Sequence, residues 1–217
     1  MAERRRQVLS RERIVEAAVE LLDAAGEGAL TVRALTERLS TGSGAVHHHV
    51  GSRDELLHTA TEAVVADALA APVEPGMPGD EIRAAALGVF DAVAEHPWLA
   101  AQLAVQITRN PWGPVTVRVF ENIGRPLGAL GVPQRDWFAT SSVLVHYILG
   151  ATTQTAQPSE GGADRAGFLD AASRAWQDLD PDEHPFVRAV AGQMRDHDDR
   201  EQFRTGIDLV LGGIGRS

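Results

Sequence analysis

The sequence predicts an all-α protein with a small N-terminal helical domain and a larger helical domain behind it. Three observations support this prediction. Apolar residues recur at helical spacing along most of the 217 residues, and no segment shows convincing strand alternation. Near the N-terminus, short apolar runs are separated by Ser, Thr and Gly residues that start and stop helices. A Pro/Gly-rich segment over 71–79 is the clearest boundary along the chain.

Four helices are predicted before that boundary, each from local start and stop signals. Side chains that accept hydrogen bonds from free backbone N–H groups mark the starts, and Gly-containing turns mark several of the ends. The starts lie after Ser10, after Thr31, after the turn over 40–44 and after Ser52, and the ends lie near residues 25, 39, 50 and 70. Ser52 and Glu55 have the spacing of a capping box, which places the start of the fourth helix at Arg53.

Seven more helical segments follow the boundary. They cover residues 81–95, 97–109, 114–130, 134–156, 165–178 and 183–195, and a last one begins near Asp199. Pro126 lies inside the third of these and predicts a kink or break there. The segment over 158–162 is predicted to be a loop because it is rich in Pro and Gly. The last helix carries one apolar stripe, formed by Phe203, Ile207, Val210, Leu211 and Ile214.

The second and third predicted helices have the arrangement of a helix-turn-helix, whose second helix enters the DNA major groove. Ser and His side chains can hydrogen-bond base edges, Ala and Val can touch a thymine methyl group, and Gly permits close approach of the backbone. Helix N-termini favour phosphate, which makes Arg33 and Arg53 candidate backbone anchors. The predicted DNA-contacting residues are Thr31, Arg33, Thr41, Ser43, Gly44, Ala45, Val46, His47, His48 and Arg53.

The net charge of −10 at pH 7 is distributed unevenly along the chain. Residues 1–53 contain eight Arg and seven acidic residues, which gives +1, whereas the remaining 164 residues carry −11. This is compatible with DNA binding because only the face that meets the phosphates has to be basic. The basic segment over residues 4–6 either reaches an adjacent groove or remains a solvated tail.

Two segments resemble one known family. They are Arg11-Glu-Arg-Ile-Val-Glu-Ala-Ala-Val-Glu-Leu-Leu, continued by Gly28-Ala-Leu-Thr-Val-Arg-Ala-Leu-Thr-Glu-Arg-Leu39, and Ser43-Gly-Ala-Val-His-His-His-Val-Gly-Ser-Arg-Asp-Glu-Leu-Leu57. In order and spacing they closely resemble the N-terminal domain of tetracycline-repressor-like (TetR family) regulators. The resemblance implies a helix-turn-helix domain over 1–52, a connecting helix over 53–72, and a ligand-binding and dimerisation domain over 73–217.

One departure from the family pattern lies at His47, where the family usually has a Tyr that contacts a phosphate. A histidine can also donate to phosphate, with a strength that depends on its protonation. If His47 contacts phosphate as a cation, operator affinity rises from about pH 8 to about pH 6, and His47→Tyr flattens this dependence. Binding titrations of the two proteins test the prediction, and identical pH profiles would contradict it.

The resemblance implies a homodimer in which the last two long helices of each chain pair in a four-helix bundle. The predicted contacts are the 135–156 helix with Phe203, Ile207, Val210 and Leu211; the alternative is that both helices form intramolecular core. Aromatic and hydrogen-bonding residues among apolar ones are what an effector pocket needs. The candidates are Trp98, Gln102, Gln106, Trp112, His146, Tyr147 and Gln154, each of which can instead be core or solvated surface.

These observations predict a cytoplasmic transcriptional regulator, a homodimeric repressor that binds a near-palindromic operator and is released by a small molecule. A ligand-independent or activating regulator is the first alternative. A small helical enzyme using His96, His146, His184 or His197 is the second, but the sequence contains no H-E-x-x-H, no G-x-S-x-G, no phosphate loop and no Cys. Residues 47–49 are consecutive histidines about 100° apart on a helix, so they cannot converge on a metal. No cofactor and no membrane span are predicted.

Overall fold

The computed structural model describes residues 9–49, 51–70, 76–156 and 165–214, without the side chains at 47 and 49. In these residues every regular element is helical, which confirms the predicted all-α class. Three short 3-10 helices accompany the α-helices, at Glu27–Ala29, Arg125–Leu127 and Gln134–Asp136. The α-helices are α1 (Arg11–Ala25), α2 (Val32–Leu39), α3 (Ser43–His49), α4 (Arg53–Ala68), α5 (Pro78–Glu95), α6 (Leu99–Arg109), α7 (Pro114–Gly124), α8 (Trp137–Thr155), α9 (Arg165–Gln177), α10 (Pro185–Asp196) and α11 (Asp199–Ile214).

The predicted helix starts at Ser10, Thr31 and Ser52 are confirmed by their hydrogen bonds. The side-chain oxygen of each accepts from the backbone N–H three residues later, at 3.3, 3.1 and 3.0 Å respectively. The second half of the predicted capping box differs, because the Glu55 carboxylate accepts from the backbone N–H of Gly51 at 3.0 Å. This bond fixes the end of the short segment that joins α3 to α4.

Several helix boundaries differ from the prediction by a few residues. Helix α3 begins at Ser43, two residues earlier than predicted, and α6 begins at Leu99, because Pro97 belongs to the preceding turn. The predicted break at Pro126 is confirmed, since this residue lies in the 3-10 helix that ends α7. The predicted loop over 158–162 lies outside the described residues.

The N-terminal domain is α1 to α3 closed by the first half of α4. Its interior contains Ile14, Leu30, Leu35, Val46 and Leu56, each at most 3% exposed. Burial of these side chains supplies most of the stability of such short helices, which are marginal in isolation. Further along, α4 packs closely against α5 at Gly88. A Cβ added there would lie 2.3 Å from the carbonyl oxygen of Ala68.

The body is built from α5 to α8 and α11 around an aromatic cluster. The rings of Phe90 and Phe203 stack with centroids 4.6 Å apart, and those of Tyr147 and Phe203 with centroids 5.5 Å apart. The Tyr147 hydroxyl donates to the carbonyl of Phe203 at 3.1 Å. Helix α11 can approach α8 this closely because residue 206 is Gly, where an added Cβ would lie 2.0 Å from the Tyr147 hydroxyl oxygen.

This arrangement corrects the predicted dimer contacts on α11. Phe203 and Ile207 are 2% and 1% exposed, and Leu211 is also buried, so all three belong to the core of their own chain. Val210 is half-buried and packs against the same core. The apolar stripe therefore marks the inward face of α11, and the face available to another molecule lies around Leu209, which is 71% exposed.

Helices α9 and α10 form a hairpin that packs chiefly against itself. Its small interior contains Leu169, Ser173 and Ala191, with the Ser173 hydroxyl donating to the carbonyl of Ala191 at 2.8 Å. At its base, Arg165 donates to Asp199 at the start of α11 at 3.0 Å. Across the described ranges, no helix is long and apolar enough to cross a membrane.

Candidate nucleic-acid interface and effector region

Helix α3 presents a polar face to solvent. Ser43, Gly44, Ala45 and His48 are exposed on it, and Thr41 in the preceding turn is half-buried. Small and polar side chains on an exposed helix can approach base edges without clashing with the walls of the major groove. The side chain of His47 lies outside the described residues.

Val46 corrects the prediction for this helix. It is 2% exposed and packs into the core of the N-terminal domain, so it cannot project toward a thymine methyl group. In a helix of seven residues one face has to cover the core, and Val46 is the apolar residue that does so. Its role is to hold α3 against α1, α2 and α4.

The turn between α2 and α3 depends on Ser40 rather than on a glycine. Ser40 is the non-glycine residue with positive φ among those described, at 50°, and it ends α2 in the left-handed region. The N–H of the next residue, Thr41, donates to the carbonyl of Thr36 at 3.0 Å and closes the turn. Gly44 has open space around its Cβ position, which leaves room for a surface to approach closely.

Thr31 and Arg33 lie at the exposed N-terminus of α2. Thr31 caps the helix, and the Arg33 guanidinium donates to the Glu37 carboxylate at 2.8 Å on the same helix. This hydrogen bond, with the charge of Glu37, raises the pKa of Arg33. Because both side chains are well exposed, Arg33 can exchange this weak ion pair for a phosphate.

Arg53 has a structural role that the sequence did not predict, and its role as a phosphate anchor stays a prediction. Its guanidinium donates to the backbone carbonyls of Glu27 and Leu30 at 2.6 and 3.2 Å. These acceptors lie in the turn before α2. Arg53 therefore connects the start of α4 to the segment that precedes the first helix of the helix-turn-helix. No local signal in the sequence predicts these partners, because they lie 26 and 23 residues away.

Asp23 at the end of α1 joins the N-terminal domain to the body. One of its carboxylate oxygens accepts from the Trp98 indole N–H at 2.7 Å and lies 2.7 Å from Nδ1 of His96. Trp98 is 8% exposed, so its N–H is withdrawn from water and depends on this acceptor. Trp98 therefore belongs to the contact between the two domains, and its effector role stays a prediction.

Gln102 makes a second contact of the same kind. Its amide donates to the Glu27 carboxylate at 2.6 Å, and the residue is 6% exposed. Gln102 thus belongs to the same contact between the two domains, the junction formed by Asp23, Glu27, Trp98 and Gln102. Its effector role stays a prediction. The backbone carbonyl of Glu27 accepts from Arg53, so α6 is connected through Glu27 to the start of α4.

Removal of the Asp23 carboxylate is expected to weaken this junction. Asp23→Ala leaves the buried Trp98 N–H unpaired, which is expected to lower the free energy of unfolding by about 1–3 kcal/mol. Urea unfolding followed by tryptophan fluorescence measures the change. Asp182→Ala, at an exposed turn position, is the matched control and is expected to change stability by less than about 0.5 kcal/mol. Equal stability of the two variants would contradict the assigned role of Asp23.

The remaining effector candidates lie in different environments. Trp112 is 80% exposed in the turn between α6 and α7, outside the interior of the body, and its pocket role stays a prediction. His146, Tyr147 and Gln154 line an open surface groove of about 770 Å³ between α8 and α11, rather than the interior of the body. Gln106 is 3% exposed within the body. The structure therefore does not bring the seven predicted residues together in one pocket.

The groove between α8 and α11 ends at an ion pair between Arg165 and Asp199. Burial acts to raise the pKa of Asp199, but hydrogen bonds from Arg165 and His197 outweigh it and lower the pKa below the usual 3.8. A carboxylate with a lowered pKa stabilises the fold above its usual pKa and loses that contribution as the pH falls through the folded value.

Asp199→Asn is therefore expected to lower stability by about 1 kcal/mol or less at neutral pH, because the pair is partly exposed. The difference between variant and wild type is expected to shrink near about pH 3. Thermal unfolding of both proteins at the two pH values measures it, with Asp178→Asn as the control. A difference that does not depend on pH would contradict the assignment.

The two parts of the chain match the two parts of one protein family. Residues 14–60 match the family described as bacterial regulatory proteins, tetR family. Residues 77–217 match the tetracyclin repressor-like C-terminal domain. The chain belongs to the TetR family. The first match extends from α1 into α4, and the second covers the helices from α5 onward.

Individual known proteins are similar to this chain over most of its length. An HTH-type transcriptional regulator of Saccharopolyspora erythraea is 32% identical over 151 residues, which cover 69% of this chain and 62% of that protein. The chain thus spans less than two thirds of this curated relative's length. The solved TetR regulator SCO7222 of Streptomyces coelicolor is 57% identical with a TM-score of 0.89, over 96% of this chain and 99% of that one. ActR of the same organism, solved with actinorhodin, is 26% identical with a TM-score of 0.77, over 96% of each chain.

Sequence reasoning missed the residues that connect the TetR-family DNA-binding domain to its body. In the sequence, Asp23 and Glu27 are distinguished only as two of the seven acidic residues of 1–53, yet they accept from Trp98 and Gln102, each 75 residues further along. The available signal is the presence of two hydrogen-bonding side chains, Trp98 and Gln102, among the apolar residues at the start of α6. That signal shows that partners are needed but not where they lie.

Proposed function

We propose that this protein is a homodimeric transcriptional repressor that binds a near-palindromic DNA operator through α3 and is released by a small molecule. The observation that carries the proposal is the exposed polar face of α3, held in a domain that matches the TetR family. In a helix-turn-helix protein this is the face that enters the major groove. The protein would act by binding rather than by catalysis, in the cytoplasm where its operator is accessible.

The proposed base-reading residues are Ser43, Gly44, Ala45 and His48, together with His47. Thr31, Arg33 and Thr41 would contact the phosphate backbone on either side, as the exposed ends of the two helices permit. Val46 would support them from within the domain. Arg53, exposed at the start of α4, would contact a further phosphate while it holds the carbonyl of Glu27. The proposed domains remain 1–52 for DNA binding, 53–72 for the connection and 73–217 for effector binding and dimerisation.

The proposed dimer uses the outer faces of α8 and α11. Val143, His146 and Gly150 on α8 are exposed, as are Thr205 and Leu209 on α11. Val143 and Leu209 are large apolar side chains, 54% and 71% exposed, that a second copy would remove from water. Packing of these helices against their symmetry mates would form a four-helix bundle and place two α3 helices on one side of the molecule.

The proposed effector site lies in the body. ActR, which shares the fold at 26% identity, was solved with actinorhodin bound. Two conformations with different separations of the α3 helices would allow an effector to weaken operator binding by preferring one of them. The contacts of Asp23 and Glu27 with α6 make the orientation of the DNA-binding domain depend on the body.

Selection of bound sequences from a random duplex library tests the DNA-binding proposal. The expected result is enrichment of a palindrome whose half-sites lie about one helical turn apart, with affinity that falls steeply with salt. Weak binding without sequence preference at low salt would overturn the proposal. A selected operator then provides the probe for effector screening.

A further inference from the structure

One buried donor in the body has no partner. Gln106 on α6 is 3% exposed, and its side-chain Nε2 meets no hydrogen-bond acceptor among the described residues. Its backbone carbonyl, in contrast, accepts from the N–H of Asn110 at 2.9 Å and from the Thr116 hydroxyl at 3.2 Å. The backbone carbonyl of Gln106 thus has hydrogen-bond donors, whereas the side-chain Nε2 has no acceptor.

Every other buried polar side chain in the described part of the chain has a partner. Five hydroxyl groups donate to backbone carbonyls, and Gln102 donates to Glu27; the hydroxyl groups are those of Thr61, Thr116, Ser141, Thr152 and Ser173. Buried polar groups in native proteins are generally paired, and an unpaired donor lowers stability. The Gln106 amide is therefore a donor that the folded chain does not use for itself.

The surroundings of Gln106 are apolar and carry no charge. Leu99 and Leu103 lie on the same buried face of α6, which packs against α4, α5, α7 and α8. Among the described residues, no Asp, Glu, Arg or His side chain is buried. A charged molecule would lose its hydration there without meeting an opposite charge. An uncharged oxygen acceptor, in contrast, would both replace water and satisfy the amide.

We propose that Gln106 recognises the effector, and that the effector is an uncharged, largely apolar molecule whose ketone, quinone or amide oxygen accepts a hydrogen bond from Nε2. This inference rests on the proposed effector-released function. Gln102 lies one helical turn earlier on the same helix and donates to Glu27 of the DNA-binding domain. A molecule anchored at Gln106 therefore acts directly on the helix that holds the junction.

Three matched probes test this chemistry: 9-fluorenone, fluorene and fluorene-9-carboxylate. All three contain the fluorene ring system. Fluorenone adds a ketone oxygen, fluorene has no hydrogen-bond acceptor, and the carboxylate carries a negative charge. Binding to the full-length protein is measured by quenching of tryptophan fluorescence. Wild type is expected to bind fluorenone about tenfold more tightly than fluorene, the effect of one hydrogen bond, and to bind the carboxylate least.

Gln106→Leu is expected to bind the ketone and the hydrocarbon with equal affinity, and Gln106→Met gives a second variant of similar volume. Both are expected to unfold at or above the wild-type temperature, because they remove an unpaired donor. Gln193→Leu, on the exposed side of α10, is expected to keep the wild-type preference for the ketone.

A ketone preference that survives in both Gln106 variants would overturn the inference. So would carboxylate binding as tight as ketone binding, binding of none of the probes, or a lowered unfolding temperature in both variants. Operator affinity is measured on the same samples to separate the two proposals. Failure of the unliganded wild type to bind the operator would overturn the proposed function. If the operator is bound and is released by a charged compound, only the assignment of Gln106 is overturned.

Discussion

Ala45→Glu is expected to weaken operator binding by at least about 100-fold while leaving the fold intact. Ala45 is exposed at the centre of the polar face of α3. A carboxylate there would face the acceptors of the base edges and the negative potential of the phosphates, and it would lose its hydration without gaining a partner. Fluorescence anisotropy with the selected operator at one fixed salt concentration measures the loss.

The matched control is Ala171→Glu, which makes the same charge change on an exposed position of α9. It is expected to bind the operator within about twofold of wild type, because long-range repulsion is screened at physiological salt. Circular dichroism and thermal unfolding are expected to be similar for both variants and wild type. If the two substitutions weaken binding equally, net charge rather than the α3 surface determines affinity, and the assignment of α3 as the reading helix fails.

Leu209→Glu is expected to prevent dimer assembly without unfolding the chain, whereas Phe203→Ala is expected to lower the stability of the fold. Leu209 is 71% exposed on the proposed dimer face, so a carboxylate there is expected to separate the protomers and weaken operator binding through loss of the second half-site. Phe203 is 2% exposed and stacks against Phe90 and Tyr147. Its truncation is expected to lower the free energy of unfolding by about 3–5 kcal/mol.

Sedimentation and urea unfolding of the two variants distinguish these effects. Leu209→Glu is expected to sediment as a monomer that keeps its helical content, and Phe203→Ala is expected to unfold at lower urea concentration. Gln193→Glu, exposed on α10, controls for the added charge. A dimeric Leu209→Glu, together with a stably folded but monomeric Phe203→Ala, would restore the original assignment of the apolar stripe to the dimer interface.

The helix starts could be predicted because their signals are local. Ser10, Thr31 and Ser52 cap helices through bonds to N–H groups three residues away, and Pro126 breaks a helix by its own geometry. None of these features requires knowledge of distant parts of the chain. The family resemblance was predictable for the same reason, because its motifs lie within 47 contiguous residues.

The partners of individual side chains could not be predicted, because burial alone does not identify what covers a surface. The stripe through Phe203 and Ile207 marks a buried face of α11, but the sequence does not distinguish the chain's own core from a second copy. Val46 shows the same limit on α3, where an apolar residue that could meet a thymine methyl group covers the domain core. Trp98 and Gln102 needed acceptors, and these lie in a different domain.

The junction gives a physical basis for communication between the two domains. Helix α6 contains Gln106 in the body interior and Gln102 at the contact with Glu27, and Trp98 immediately precedes it. The Glu27 carbonyl in turn accepts from Arg53 at the start of α4. A displacement of α6 would therefore change the orientation of the DNA-binding domain relative to the body, without any movement within α3.

Hydroxyl-radical footprinting on the selected operator tests the central claim most directly. A dimer that reads DNA with α3 is expected to protect two symmetric patches on one face of the duplex, with centres about one helical turn apart. Ala45→Glu is expected to remove both patches at the same protein concentration. A single protected patch formed by one protomer, or uniform protection that Ala45→Glu leaves unchanged, would contradict a dimeric regulator that reads its operator with α3.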